Sequence, residues 1–453
     1  MTDPSVLDDI VKAYDVRGLV DGQLTPDVAE ALGAAAAHVL AGGSGGLVVG
    51  HDMRPSSPEL VAAFTRGVTR QGVDVVHVGL ASTDMLYFAS GVLDLPGAMF
   101  TASHNPPTYN GIKLCRAGAQ PVSIDTGLGE IRDRAKAGVP APAAAAGTER
   151  HEDMLERFGA HVRSFVDTSL LSEVRIAVDA GNGMGGHVVP AAFAGLPIEV
   201  DELYFELDGS FPNHPANPIE PENLADLQAH VREHGLPLGL AFDGDADRMF
   251  AVDERGEPVP SALIGAVVAD RMLARDPGAT VLYNLICSRV VPETVEAAGG
   301  TAVRTRVGHS FIKQTMAETD AVFAVEHSGH YYFRDNYRAD SGLIAALVLL
   351  EAVAEAGAPL SEVVAPYART SLSGELNFTV VDQDAAVAAV REVFAERTRA
   401  SDTEDGLTVV LEHGWFNLRA SNTEPLLRLN VEGDDEAAMT AIRDEVAATV
   451  QAG

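Results

Sequence analysis

Three aspartates stand at alternate positions in the segment AFDGDADRMF: Asp243, Asp245 and Asp247. They follow the apolar run LPLGLAF, which reads as a strand feeding a tight loop. Carboxylates at i, i+2 and i+4 can converge on one hard cation, and oxygen ligands suit Mg²⁺ or Ca²⁺. Three gathered anions repel one another without a cation, so a metal accounts for the cluster best. A solvated acidic loop is the plainer reading in a chain this acidic. An EF-hand fits less well: Glu254 falls at the twelfth position, but Arg248 stands where that loop needs glycine.

Ser103 lies in AMFTASHNPPTYNGIKL, between small residues and ahead of His104, Asn105 and two prolines. Such a stiff loop holds one hydroxyl in place. A serine hydroxyl attacks only when a base, a metal or the substrate activates it. Ser103 does not sit in a GxSxG elbow, which argues against an ordinary hydrolase nucleophile. The Asn110-Gly111 turn brings Lys113 back toward the loop.

The turn NLRASNTEPLLRLNVEG gathers Arg419, Ser421, Asn422, Thr423 and Arg428. Guanidinium, hydroxyl, amide and backbone N–H donors together form the set a phosphate dianion needs. The loop FAVEHSGHYYFRDN mixes Glu326, His327, Ser328 and His330, donors and acceptors of the kind that suit sugar hydroxyls. Tyr14 and Arg17, Arg54, and Arg304, Arg306 and His309 are further polar points. A literal G-x-G-x-x-G, at Gly181, Gly183 and Gly186, follows a strand-like run, with Asp201 and Glu202 about 20 residues on. It keeps open a nucleotide-dependent oxidoreductase; the plainer reading is a tight turn starting a helix close to a sheet.

The elements that must position these residues recur. A short apolar run, a Gly-rich or polar turn and an Ala/Leu-rich helical stretch appear near residues 46, 174 and 280. That predicts three similar α/β domains with strands buried on both faces. The tail differs: LNFTVV, LTVVLE, WFNLRAS and LLRLNVEG read as antiparallel strands, and an amphipathic helix closes the chain. The expected units are 1–147, 148–254, 255–370 and 371–453: three mixed-sheet α/β domains and a smaller α+β domain.

The 453 residues carry 65 acids against 32 basic residues, a formal charge of −33. Such a balance repels nucleic-acid backbones and anionic membrane surfaces, so neither is an expected partner. Cys115 and Cys287 make no disulfide framework. The start MTDPSVLDDIVKAYDVRG lacks signal-peptide regions, and no apolar run approaches a bilayer span, so a cytoplasmic protein is expected.

Taken in order, TASHNP, DGDADR, EHSGH and RASNTEP resemble the α-D-phosphohexomutase superfamily, most closely its bacterial phosphomannomutase/phosphoglucomutase branch. The resemblance spans essentially the whole chain and implies four domains around a central cleft. It implies interconversion of hexose 6-phosphate and hexose 1-phosphate, mannose first and glucose as a further pair. The route is an enzyme phosphoserine and a hexose 1,6-bisphosphate intermediate. By that resemblance Ser103 carries the phosphate, and Mg²⁺ binds Asp243, Asp245 and Asp247 with it. Arg248 sits beside the phosphoserine, and His104 and Lys113 serve acid/base work. Tyr14, Arg17, His309, Glu326 and Ser328 contact the sugar. Arg419, Ser421, Asn422 and Thr423 grip the non-reacting phosphate. A glucosamine-phosphate mutase is the nearest alternative, and a monomer or homodimer is expected. Two positions depart from the family pattern: Val325 replaces a common glycine, and Ile286 stands where some relatives place a lysine, with Arg289 nearby to compensate.

Overall fold

The computed structural model describes residues 5–42, 45–420 and 426–452. Its first sheet comprises β1 (Val16–Leu19), β2 (Gly46–His51), β3 (Asp74–Leu80), β4 (Gly97–Phe100), β5 (Tyr109–Arg116), β6 (Gln120–Pro121) and β7 (Glu149–His151). Their order is β1-β5-β4-β2-β3-β7, with β6 beside β5. The second sheet holds β8 (Val174–Asp179), β9 (Ile198–Leu203), β10 (Leu238–Phe242), β11 (Met249–Asp253) and β12 (Pro258–Val259), ordered β12-β11-β10-β8-β9. The third holds β13 (Thr280–Asn284), β14 (Thr301–Thr305), β15 (Phe323–Val325) and β16 (Tyr331–Phe333), ordered β14-β13-β15-β16. These three sheets are mixed. Each has a parallel centre and then turns antiparallel at β4–β5, β10–β11 and β15–β16.

The fourth sheet is wholly antiparallel: β17 (Ser371–Phe378), β18 (Ala400–Asp402), β19 (Leu407–Val410), β20 (Gly414–Ala420) and β21 (Leu427–Gly433), ordered β17-β21-β20-β19-β18. Leu376, Phe378, Phe416, Leu418, Leu427, Leu429 and Val431 pack beneath it with the helices Gln383–Phe394 and Glu436–Ala452. The alternating positions Glu375, Asn377, Asn417, Arg419, Arg428 and Asn430 lie on the other face, as a pleated strand requires.

Two sheets run past the expected domain ends. β7 extends the first beyond residue 147, and β12 extends the second beyond 254, because each pairs with an earlier strand. Among the described residues no helix is long and apolar enough to cross a membrane.

One pattern organises the site. The segments bearing Ser103, the aspartates, Glu326 and Arg419 all lie at the tip of an antiparallel hairpin: β4–β5, β10–β11, β15–β16 and β20–β21. In the first three, the tip follows the carboxyl end of a central parallel strand, where α/β sheets build their sites.

Candidate active site

The first two tips meet. Ser103 Oγ donates to Asp243 Oδ2 at 2.7 Å and receives Arg248 Nη2 at 3.0 Å. Arg248 also donates through Nε to Asp243 Oδ2 at 2.8 Å. Ser103 is buried and has φ 48°, a left-handed backbone that a non-glycine residue holds only under constraint. Much of that constraint is Arg54, buried at the end of β2. Its guanidinium donates to the carbonyls of Ser103, Asn105, Pro106 and Tyr109 at 2.6–3.0 Å. Asp52 holds Arg54 from behind at 3.2 Å.

Gly244 lets the metal loop come this close. A Cβ there would stand 2.4 Å from the Ser103 carbonyl oxygen. Gly183 in turn lies against Gly244, where a Cβ would fall 2.8 Å from its carbonyl oxygen, and Gly186 lies against the Phe205 backbone. The apparent dinucleotide motif is thus packing against the protein's own backbone. Asp201, the acid expected downstream, is paired with Arg175 and His230.

All three aspartates are fully buried and lie close enough to share one cation. Asp245 Oδ2 receives Thr83 Oγ1 and Lys113 Nζ at 2.6 and 2.7 Å, and Asp247 Oδ2 receives Lys113 Nζ at 2.6 Å. The second oxygens, Asp245 Oδ1 and Asp247 Oδ1, are buried with no hydrogen-bond partner. Buried orphan carboxylate oxygens are costly, and a hard cation would satisfy both, so the residues fit a metal. The loop joins two strands, which excludes the helix-flanked EF-hand. Burial pushes the Asp243 carboxyl up to about 7, with Arg248 opposing. Asp245 moves down because Lys113 more than offsets its burial.

Lys113 and His104, the two residues expected to serve acid/base work, both stand at this junction, Lys113 on Asp245 and Asp247 and His104 beside Ser103. Burial opposes the Lys113 charge, but Asp245 and Asp247 more than offset it and hold its pKa well above the usual lysine value. Lys113 is therefore an ammonium counter-ion. Burial and then Arg248 drive His104 well below the usual histidine range, and its Nδ1 faces both Arg248 and Ser103 Oγ.

The third tip is stitched onto the second. Arg248 and His330 form an antiparallel bridge, and Met249 N–H donates to the Gly329 carbonyl at 3.1 Å. His330, read from sequence only as part of a polar loop, thereby lies 3.6 Å from Asp247 Oδ1 through Nε2, with Nδ1 3.0 Å from Ser328 Oγ. Glu326 accepts from Tyr332 Oη at 2.7 Å, Asn284 Nδ2 at 3.1 Å and Gly308 N–H at 3.3 Å, a fixed buried acceptor. Tyr14 meets His309 edge-on at 4.6 Å, and Arg17 donates to Asn105 Oδ1 at 2.5 Å. Arg419 pairs with Glu375, which lies 3.5 Å from His327 beside Glu326, so the fourth sheet meets the sugar loop. Ser421, Asn422 and Thr423 lie outside the described residues. Arg289 does not make up for Ile286, because it pairs with Asp434 and Glu293.

A buried serine hydroxyl hydrogen-bonded to a carboxylate of a metal-ready triad, at the junction of four α/β and α+β units, defines the class of site. The chain matches the models described as phosphoglucomutase/phosphomannomutase alpha/beta/alpha domain I over residues 8–139, domain II over 152–256 and domain III over 261–370. The C-terminal domain model matches residues 375–449. A protein of Xanthomonas campestris pv. campestris described as "Phosphohexose mutases" is 40% identical over 436 residues, covering 96% of this chain and 97% of its own. A "Phosphomannomutase" of Salmonella typhimurium is 39% identical over 430 residues, covering 93% and 94%. The crystal structure of a phosphoglucomutase/phosphomannomutase family protein from Burkholderia thailandensis superposes with a TM-score of 0.89. It is 32% identical, covering 100% of this chain and 98% of that one. The chain belongs to the phosphoglucomutase/phosphomannomutase family.

Proposed function

We propose that this protein interconverts hexose 6-phosphate and hexose 1-phosphate, mannose first and glucose second, through phosphorylated Ser103 and a hexose 1,6-bisphosphate. The observation that carries the reading is the contact of Ser103 Oγ with Asp243 and Arg248, made across about 140 residues of chain. Family membership supports the same reading.

In the forward step the Ser103 O–P bond breaks, an O–P bond forms to the sugar hydroxyl, and the hydroxyl gives up its proton. Arg248 and Lys113 neutralise the phosphoryl oxygens as charge redistributes. His330 receives the hydroxyl proton, its Nδ1 steadied by Ser328. Mg²⁺ held by Asp243, Asp245 and Asp247 would supply further charge neutralisation of the phosphoryl group. Glu326, Ser328, His309 and Tyr14 orient the sugar. Arg17 and Arg54 fix the serine loop, Arg54 through its carbonyl contacts. Arg419, with Ser421, Asn422 and Thr423, holds the distal phosphate.

The test is a side-by-side measurement of turnover on mannose, glucose and glucosamine 1-phosphates with Mg²⁺ and a trace of bisphosphate. Mannose and glucose 1-phosphates are both expected to turn over faster than glucosamine 1-phosphate. The Ser103→Ala protein is expected to lose at least about 10³-fold in rate. Preference for glucosamine 1-phosphate, or full activity of Ser103→Ala, would refute the reading.

A further inference from the structure

Arg419 and Arg428 stand directly opposite one another in the β20–β21 register. Two guanidinium groups facing across an antiparallel pair repel, and the pair is stable only with an anion alongside. Here that anion is Glu375, on the strand that enters the fourth sheet. Glu375 Oε2 accepts from Arg419 Nη2 at 3.3 Å, and its Oε1 lies 3.3 Å from Arg428 Nη1. A third partner comes from the other side of the boundary: His327, in the loop beside Glu326, places Nε2 3.5 Å from Glu375 Oε2. The Arg419 side chain is 3% exposed and that of Glu375 12%, so water screens this cluster poorly. Burial alone would raise the Glu375 carboxyl, but His327, Arg428 and Arg419 outweigh it and bring it to about 2. Glu375 is a fixed anion under all ordinary conditions.

We propose that Glu375 is a positioning residue that exchanges with the substrate's distal phosphate, holding Arg419 and Arg428 while the phosphate is away and yielding them when it arrives. The inference rests on the mutase reading above. In that reaction a bisphosphate must reverse within the site, so the distal phosphate has to let go once in every turnover. A pocket of arginines and neutral donors alone would hold a dianion tightly and release it slowly. A carboxylate within the same cluster weakens the grip and re-pairs the arginines as the phosphate departs. The buried Arg419 guanidinium is then not left uncompensated. Because Glu375 also meets His327, each exchange is felt where the sugar loop faces the fourth domain.

The experiment compares wild type, Glu375→Gln, Glu375→Asp and Arg419→Gln. Inorganic phosphate is the probe, with binding measured by calorimetry and turnover on hexose 1-phosphate measured separately. Glu375→Gln is expected to bind inorganic phosphate about tenfold more tightly, since a nearby negative charge is gone. Its KM is expected to fall by a similar factor and its kcat to fall with it, because release now limits reversal. Glu375→Asp is expected to lie between wild type and Glu375→Gln in both respects. Arg419→Gln is expected to weaken phosphate binding, which locates the probe. Unchanged or weaker phosphate binding in Glu375→Gln, or a higher KM at constant kcat, would overturn the proposal and leave Glu375 a mere support for the arginines. If Glu375→Gln fails to fold, Glu375→Asp decides: tighter binding than wild type supports the exchange, and unchanged binding refutes it. A wild-type chain that binds phosphate through Arg419 yet turns over no hexose phosphate would refute the mutase reading, and the binding arms would still judge Glu375.

Discussion

The first three domains and the fourth are held to the molecule by different physics. A single apolar cluster runs through the first three: Met85 and Phe88, Phe158 and Val188, Phe323 and Leu347 all belong to it. The fourth has its own closed core and meets the third through polar contacts. Ser288 Oγ and the Arg289 N–H donate to Glu432 at 2.8 and 3.0 Å, and Arg304 pairs with Asp402 at 2.7 Å. Apolar fusion resists separation because every ångström of opening exposes surface to water. Polar contacts can be remade with water at small net cost, so the boundary of the fourth domain is the more easily opened one. The tips bearing Ser103 and the three aspartates thus stand on the fused region, and Arg419 stands on the separately cored fourth domain.

Substitutions can break that contrast in order of size. Phe158→Ala removes a fully buried ring that meets Phe88 at 5.8 Å between centroids. It is expected to cost about 3–5 kcal/mol and to lower one shared melting transition of the first three domains in calorimetry. Asp84 is a buried carboxyl inside the fused region. It is buried, bonded to Ser82, and receives Ser341 Oγ from the third domain at 2.6 Å. Burial outweighs those two hydroxyls and pushes its carboxyl up to about 7. The folded state therefore binds this proton more tightly than the unfolded state. The associated stability is present below about pH 4 and is lost as pH rises through about 7. Asp84→Asn cannot ionise, so urea denaturation between pH 4 and 8 should show a flatter profile. At pH 8 the variant should gain on the order of 2–4 kcal/mol relative to its low-pH difference from wild type.

Smaller effects belong to the polar boundary. Glu432 is fully buried and also receives Trp415 Nε1 at 2.7 Å. Glu432→Gln replaces one acceptor oxygen by a donor and should cost about 1–3 kcal/mol. The loss should appear as faster hydrogen exchange confined to the fourth domain, with the other three unchanged. Arg304 and Asp402 are about one-third exposed, at 32% and 37%. Arg304→Gln should cost less than about 1 kcal/mol, visible in chemical denaturation at low salt and absent at high salt.

The hairpin tips could be read from the chain because each is local: an apolar run, then a turn whose side chains carry the chemistry. The parallel centres of the first three sheets also follow from their repeated units. What stayed hidden depends on contacts between distant segments. Arg54 holds carbonyls some 50 residues away, and Glu375 holds arginines 44 and 53 positions on, so neither has a local signature. The charge of Lys113 is set by carboxylates more than 130 residues later. The Gly181–Gly186 run misleads because close approach demands glycine whether the neighbour is a ligand or a backbone carbonyl. β18 was missed because Ala400, Ser401 and Asp402 are small or acidic and mostly exposed, without an apolar alternation.

The Arg54 clamp has a consequence for the cycle itself. Its two Nη groups donate to main-chain carbonyls and its Nε to Asp52, and none is aimed at the serine oxygen. A phosphate gained or lost on Ser103, as proposed above, would therefore change the charge at the loop's apex without withdrawing any of the bonds that shape its backbone. The loop would be loaded and unloaded on one unchanging frame, like a peg whose socket is cut elsewhere.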